Sequence, residues 1–90
     1  MTDEDMRRRA DWMNPKDDEI LEYLSDVIGS SPQDVAESLD SHQKYVNERL
    51  IILYKYGLLD RPSRGLYRIN ENTREYLNEE LDASTLEREE

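Results

Sequence analysis

The sequence has no cysteine, one histidine (His42) and three glycines among its 90 residues. Without cysteine the chain can form no disulfide, no thiol nucleophile and no cysteine-ligated zinc site. A single histidine without a thiol leaves no nucleophile–base–acid set, and three scattered glycines make no glycine-rich phosphate loop. We therefore expect a protein that is not an enzyme and that holds no metal ion and no cofactor.

Long apolar runs are absent as well. The longest, 50–54, is far shorter than the roughly 18–20 residues of a membrane-spanning helix. The first five residues are mostly acidic and lack the apolar core of a signal peptide. Ninety residues allow one small domain with a modest core. We expect a soluble, cytoplasmic protein with no membrane partner, and no small-molecule ligand is evident.

Basic residues are few: 12 against 22 acidic ones, for a net charge of -10. A uniformly acidic surface would argue against nucleic acid as a partner. Dense carboxylates also keep proteins hydrated in molar salt, and arginine outnumbers lysine nine to three. We interpret this composition as that of a halophilic protein.

The charge is distributed unevenly. Residues 41–68 carry six basic and two acidic groups, a net +4, whereas the rest of the chain carries -14. A basic segment in an acidic protein indicates a surface that meets a polyanion, although chance clustering in a short window is the alternative.

Apolar periodicity and capping residues predict three helices in the first two thirds of the chain. The predicted helices begin after Asn14, Ser31 and Ser41 and run to about 28, 39 and 56. The inward stripe of the first helix includes Leu24 and Ile28, and that of the third includes Val46, Leu50 and Leu53.

After Gly57 the pattern changes to two short strands, 58–61 and 66–69, around a turn at 62–65. Asn70 then caps a last helix. We predict an α+β, mostly helical fold, the winged helix-turn-helix: three helices, a β-hairpin wing and a C-terminal helix. The predicted divisions are a flexible N-terminal segment 1–13, with docking of Trp12 and Met13 on the domain as an alternative, the domain 14–82 and an acidic C-terminal tail 83–90.

Four stretches of the chain resemble haloarchaeal winged helix-turn-helix regulators, which are similar to the repressor of a halobacterial phage. They are ADWMNPKDD at 10–18, SHQKYVNERL at 41–50, YGLL at 56–59 and RGLYRI at 64–69. The resemblance covers roughly residues 10–83. It implies a sequence-specific DNA-binding regulator, usually dimeric, in a high-salt cytoplasm.

The predicted DNA-binding residues lie on the third helix and the hairpin. They are Ser41, His42, Gln43, Lys44, Tyr45, Asn47, Arg49, Arg61, Arg64 and Arg68. Gln43 and Asn47 have the amide geometry that reads adenine in the major groove. Lys44 and Arg64 are candidate phosphate contacts. Arg49 either contacts phosphate or pairs with an acid of its own chain.

The sequence predicts a double-stranded DNA-binding transcriptional regulator, a repressor that acts as a homodimer. The dimer is expected because five apolar residues exceed what a small core absorbs: Tyr54, Tyr56, Tyr76, Leu77 and Leu81. The alternative is a winged-helix protein-interaction module that does not bind DNA. DNA binding requires that the basic residues share an exposed face with Gln43 and Asn47. Basic residues scattered into local salt bridges would favour the interaction module.

Overall fold

The computed structural model describes residues 7–89, and this part of the chain forms four α-helices, one two-stranded hairpin and a short 3₁₀ helix. The elements are α1 Pro15–Ser25, α2 Pro32–Ser38, α3 Gln43–Lys55, β1 Asp60–Ser63, β2 Leu66–Arg68, α4 Glu71–Leu77 and the 3₁₀ helix Ala83–Thr85. Their order is that of a winged helix, so the predicted fold class is confirmed. Among residues 7–89 no helix is both long and apolar enough to cross a membrane.

Helix α1 begins as predicted but ends early. Asn14 and Asp17 form a reciprocal capping box, and Pro15 occupies the first turn. The helix stops at Ser25, so residues 26–29 leave the helical phase. Ile28, predicted to face the core, is 94 % exposed, and that prediction is wrong for this reason.

Helices α2 and α3 form the helix-turn-helix pair. The side chain of Ser31 accepts a hydrogen bond from the backbone N–H of Asp34, as predicted. Ser41 does not cap α3: its hydroxyl donates to the carbonyl of Leu39, and His42 occupies the N-cap position without a side-chain bond. The predicted stripe of α3, Val46, Leu50 and Leu53, is fully buried.

The wing is a short antiparallel hairpin that pairs Asp60 with Arg68 and Ser63 with Leu66. It starts two residues later than predicted because Leu58 and Leu59 are buried in the core. Ser30 adds a third, isolated rung: its N–H and C=O both bond to Tyr67, each at 2.9 Å. This rung ties β2 to the segment between α1 and α2.

Helix α4 is capped as predicted. The side chain of Asn70 accepts from the N–H of Thr73, and the Thr73 side chain accepts in return from the N–H of Asn70. The Asn70 amide also donates to the carbonyl of Gly57. Gly57 has a φ of +84° and turns the chain after the end of α3. The Asn70 side chain therefore caps α4 and also joins it to the segment that precedes β1.

Part of the predicted flexible N-terminal segment 1–13 is packed. Residues 1–6 lie outside the described residues, but Ala10 and Met13 are buried. The ring of Trp12 stacks on Tyr56, with centroids 4.0 Å apart. These apolar anchors extend the folded unit back from 14 to residue 7, because burying them offsets the cost of ordering the segment.

The predicted acidic tail 83–90 is also fastened at its start. Ala83 is fully buried, and its N–H donates to the carbonyl of Arg8 at 2.9 Å. Leu86 packs against the core, and the N–H of Glu89 bonds to the carbonyl of Lys55. The boundary at 82 is therefore too early, since a small buried side chain within a charged sequence gives little periodic signal.

Candidate nucleic-acid interface

The leading end of α3 presents polar side chains to solvent. His42, Gln43, Lys44 and Tyr45 are exposed, and Asn47 is half-buried. At 100° per residue, Gln43, Asn47 and Tyr54 fall on one side of the helix, beside the buried stripe. An accessible helix face with two amides has the chemistry for base edges.

The wing contributes three exposed arginines, Arg61, Arg64 and Arg68. Arg64 lies at the tip beside Gly65, which has a φ of +77° and has no other atom near its Cβ position. Within residues 7–89, the ion pairs involve other cations, and neither Lys44 nor any wing arginine is within 4.0 Å of a carboxylate. These side chains are therefore exposed cations without an ion-pair partner in the described part of the chain.

One contact joins the wing to α3. The guanidinium carbon of Arg61 is 6.0 Å from the ring centroid of Tyr54, on α3, and 5.6 Å from that of Tyr67, on β2. Tyr54 is on the same side of α3 as Gln43 and Asn47 but about 16 and 10 Å further along the helix axis. The base of the wing therefore meets α3 on the amide side, at the trailing end of the helix.

Arg49 points into the protein. Its Nε and Nη2 atoms bond to the two carboxylate oxygens of Asp17 at 2.8 and 2.6 Å, and Nη2 also donates to the carbonyl of Trp12 at 3.0 Å. The side chain of Asp17 is fully buried and that of Arg49 is 13 % exposed. Hydrogen bonding to Asp17 raises the pKa of Arg49, with burial opposing it. The structure favours the intrachain alternative for this residue, so we leave Arg49 out of the interface.

A second carboxylate, Asp18, is buried next to the first. It accepts from Nε of Arg9 at 2.9 Å and from the Tyr76 hydroxyl at 2.6 Å. Burial, reinforced by this hydrogen bond, raises the pKa of Tyr76. Tyr76 is completely buried and is not part of an exposed dimer surface.

Asp17 and Asp18 are not among the predicted site residues, and their ion pairs with Arg49 and Arg9 were not predicted from the sequence. A signal was present: Asp17 precedes Ile20, Leu21 and Leu24 by three, four and seven residues, which is the spacing of the buried face. A carboxylate on such a face needs a cation. No group of histidines and carboxylates within residues 7–89 is arranged to hold a metal ion.

Comparison with known proteins gives a family and a structural relative. The family model described as winged helix-turn-helix phage repressor matches residues 6–89. The fold is similar to the crystal structure of the PhiH1 repressor-like protein from Haloarcula marismortui, with a TM-score of 0.83 and 31 % sequence identity. That match covers 91 % of this chain and 96 % of the other. A search of curated protein sequences found no match.

Proposed function

Because this chain belongs to the winged helix-turn-helix phage repressor family, we propose that it is a sequence-specific regulator that binds double-stranded DNA and represses transcription. The observation that carries the proposal is a set of exposed cations, Lys44 on α3 and the three wing arginines, that form no ion pair within residues 7–89 of an otherwise acidic protein. Only the contacting face of a DNA-binding protein has to be basic. The relative from Haloarcula and the acidic composition together support a halophilic origin.

In the proposed complex the leading end of α3 enters the major groove, where all four base pairs are distinguishable. Gln43 and Asn47 read bases, while Lys44 holds the phosphate backbone. Arg64 extends from the wing to the backbone or the neighbouring minor groove. In molar salt, counterion release adds little to affinity, so base contacts and DNA shape carry most of the binding.

Single substitutions are expected to distinguish the residues that contact bases from the residue that contacts the DNA backbone. Gln43→Ala or Asn47→Ala should weaken binding to the preferred site by about 1–3 kcal/mol and binding to random DNA very little. Arg64→Ala should weaken both alike and lower the slope of log affinity against log salt by about 0.9, the share of one phosphate. Binding isotherms on specific and scrambled duplexes at several KCl concentrations measure both effects.

The preferred site is obtained first, by selecting from a random DNA pool at high KCl and sequencing the bound fraction. Arg74→Ala is the matched control, because it removes an exposed arginine of α4 outside the basic segment 41–68. If Arg64→Ala relaxes sequence preference, the wing reads a groove. If no sequence is enriched and no variant alters binding, the protein-interaction module replaces the DNA-binding proposal.

We also propose that the protein acts as a homodimer, which places two α3 helices about one DNA turn apart and blocks polymerase at the promoter. Of the apolar residues that predicted a dimer, Leu77 and Leu81 have half-buried side chains, and these support the proposal. Light scattering at molar KCl is expected to give twice the 10.7 kDa chain mass. A monomer mass across micromolar concentrations would contradict the dimer.

A further inference from the structure

Three side chains from three elements meet where the wing leaves the domain. Arg61 lies on β1, Tyr54 in the last turn of α3 and Tyr67 on β2. The two rings are 6.5 Å apart and inclined at 71°, an edge-to-face arrangement. The guanidinium lies within about 6 Å of both centroids, the range in which a cation is attracted by an aromatic ring.

The two rings differ in how firmly they are held. Tyr67 is buried and its backbone is bonded to Ser30, so it belongs to the rigid body of the domain. All four residues of β1 are exposed, and the hairpin has few other contacts with α3. At its start β1 is held by a hydrogen bond from the Asn70 amide to the Asp60 carboxylate at 3.1 Å. Beyond Asp60, the contact of Arg61 with Tyr54 joins β1 to α3.

We propose that Arg61 is a positioning residue, held by Tyr54 and Tyr67, that sets the angle of the wing against α3 and so aims Arg64 at the DNA backbone. For its DNA-binding part this inference rests on the proposed function. It reassigns Arg61 from the predicted DNA-binding residues to the support of another residue, Arg64. It also assigns a role to Tyr54, whose uncharged ring would hold the guanidinium of Arg61 in place.

The free protein provides the first test, by amide hydrogen exchange of residues 60–68. Tyr54→Leu removes the ring and is expected to raise exchange in the wing about 2- to 5-fold, the factor that corresponds to an exposed cation–π contact. Tyr54→Phe keeps the ring and should leave exchange unchanged. Equal exchange in wild type and Tyr54→Leu would overturn the proposal, and exchange elsewhere in the domain shows that the variant is folded.

DNA binding provides the second test. Tyr54→Leu removes no charge, yet it should lower the salt slope by up to about 0.9, because Arg64 is no longer aimed at its phosphate. In the same background Arg64→Ala should cost less affinity than it costs in wild type. If wing exchange rises but the slope and the cost of Arg64→Ala are unchanged, the aiming role is wrong. If wild type binds no DNA but exchange responds as expected, the proposed function fails and the anchoring of the wing stands.

Discussion

Replacing Arg49 by leucine is expected to lower the free energy of unfolding by about 3–5 kcal/mol. The guanidinium is the partner of both oxygens of Asp17, which is fully buried in the first turn of α1. Without it the buried carboxylate of Asp17 loses its cation and keeps only the backbone N–H of Asn14 as a described donor, while the carbonyl of Trp12 loses a donor. Urea denaturation followed by circular dichroism measures the change.

Two further variants isolate the cause. Adding Asp17→Asn to Arg49→Leu removes the stranded charge and is expected to recover part of the lost stability. Arg64→Leu removes a similar side chain from the exposed wing and should change stability by no more than about 0.5 kcal/mol. An unfolding midpoint for Arg49→Leu equal to that of the wild type would show that the ion pair does not stabilise the fold.

Tyr76→Phe is expected to lower the free energy of unfolding by about 1.5–3 kcal/mol at neutral pH, the usual worth of a hydrogen bond to a charged group. The hydroxyl donates to the buried carboxylate of Asp18 at 2.6 Å, and the remaining ring fills the same space. Tyr54→Phe is the matched control. It removes a hydroxyl from an exposed ring and should alter stability by less than about 0.5 kcal/mol.

The same contact predicts an alkaline loss of stability. Because burial raises the pKa of Tyr76 in the folded protein, the stabilisation is complete below the unfolded-state pKa of about 10 and declines as the pH rises above it. The stability difference between wild type and Tyr76→Phe should therefore narrow above pH 10. Urea denaturation at several pH values measures it, and a difference that stays constant or widens would contradict the assigned contact.

The fold could be predicted from the sequence because the ends of its helices are set by residues that are close together in the chain. Asn14, Ser31 and Asn70 each cap the helix that follows, with the partner three residues away in the chain. Gly57, with a positive φ, lies where the helical pattern ends. The signals that define the winged helix need no knowledge of distant residues.

What the sequence left open or placed wrongly depends on distant residues or on small changes of phase. Arg49 and Asp17 are 32 positions apart, and nothing near either one shows which acid the arginine meets. Ile28 continues the apolar spacing of α1, but the helix ends before reaching it. Ser41 is a residue type that often caps a helix, yet its hydroxyl donates to the carbonyl of Leu39 instead. In each case a tertiary or competing local bond overrides the pattern.

The tip of the wing makes few contacts with the rest of the protein. Residues 62–65 are exposed, and nothing else lies within 4 Å of the Cβ position at Gly65. Lengthening such a turn costs only about 0.6 kcal/mol for each doubling of its length. Mutation can therefore alter the reach and charge of this hairpin while the buried framework stays intact.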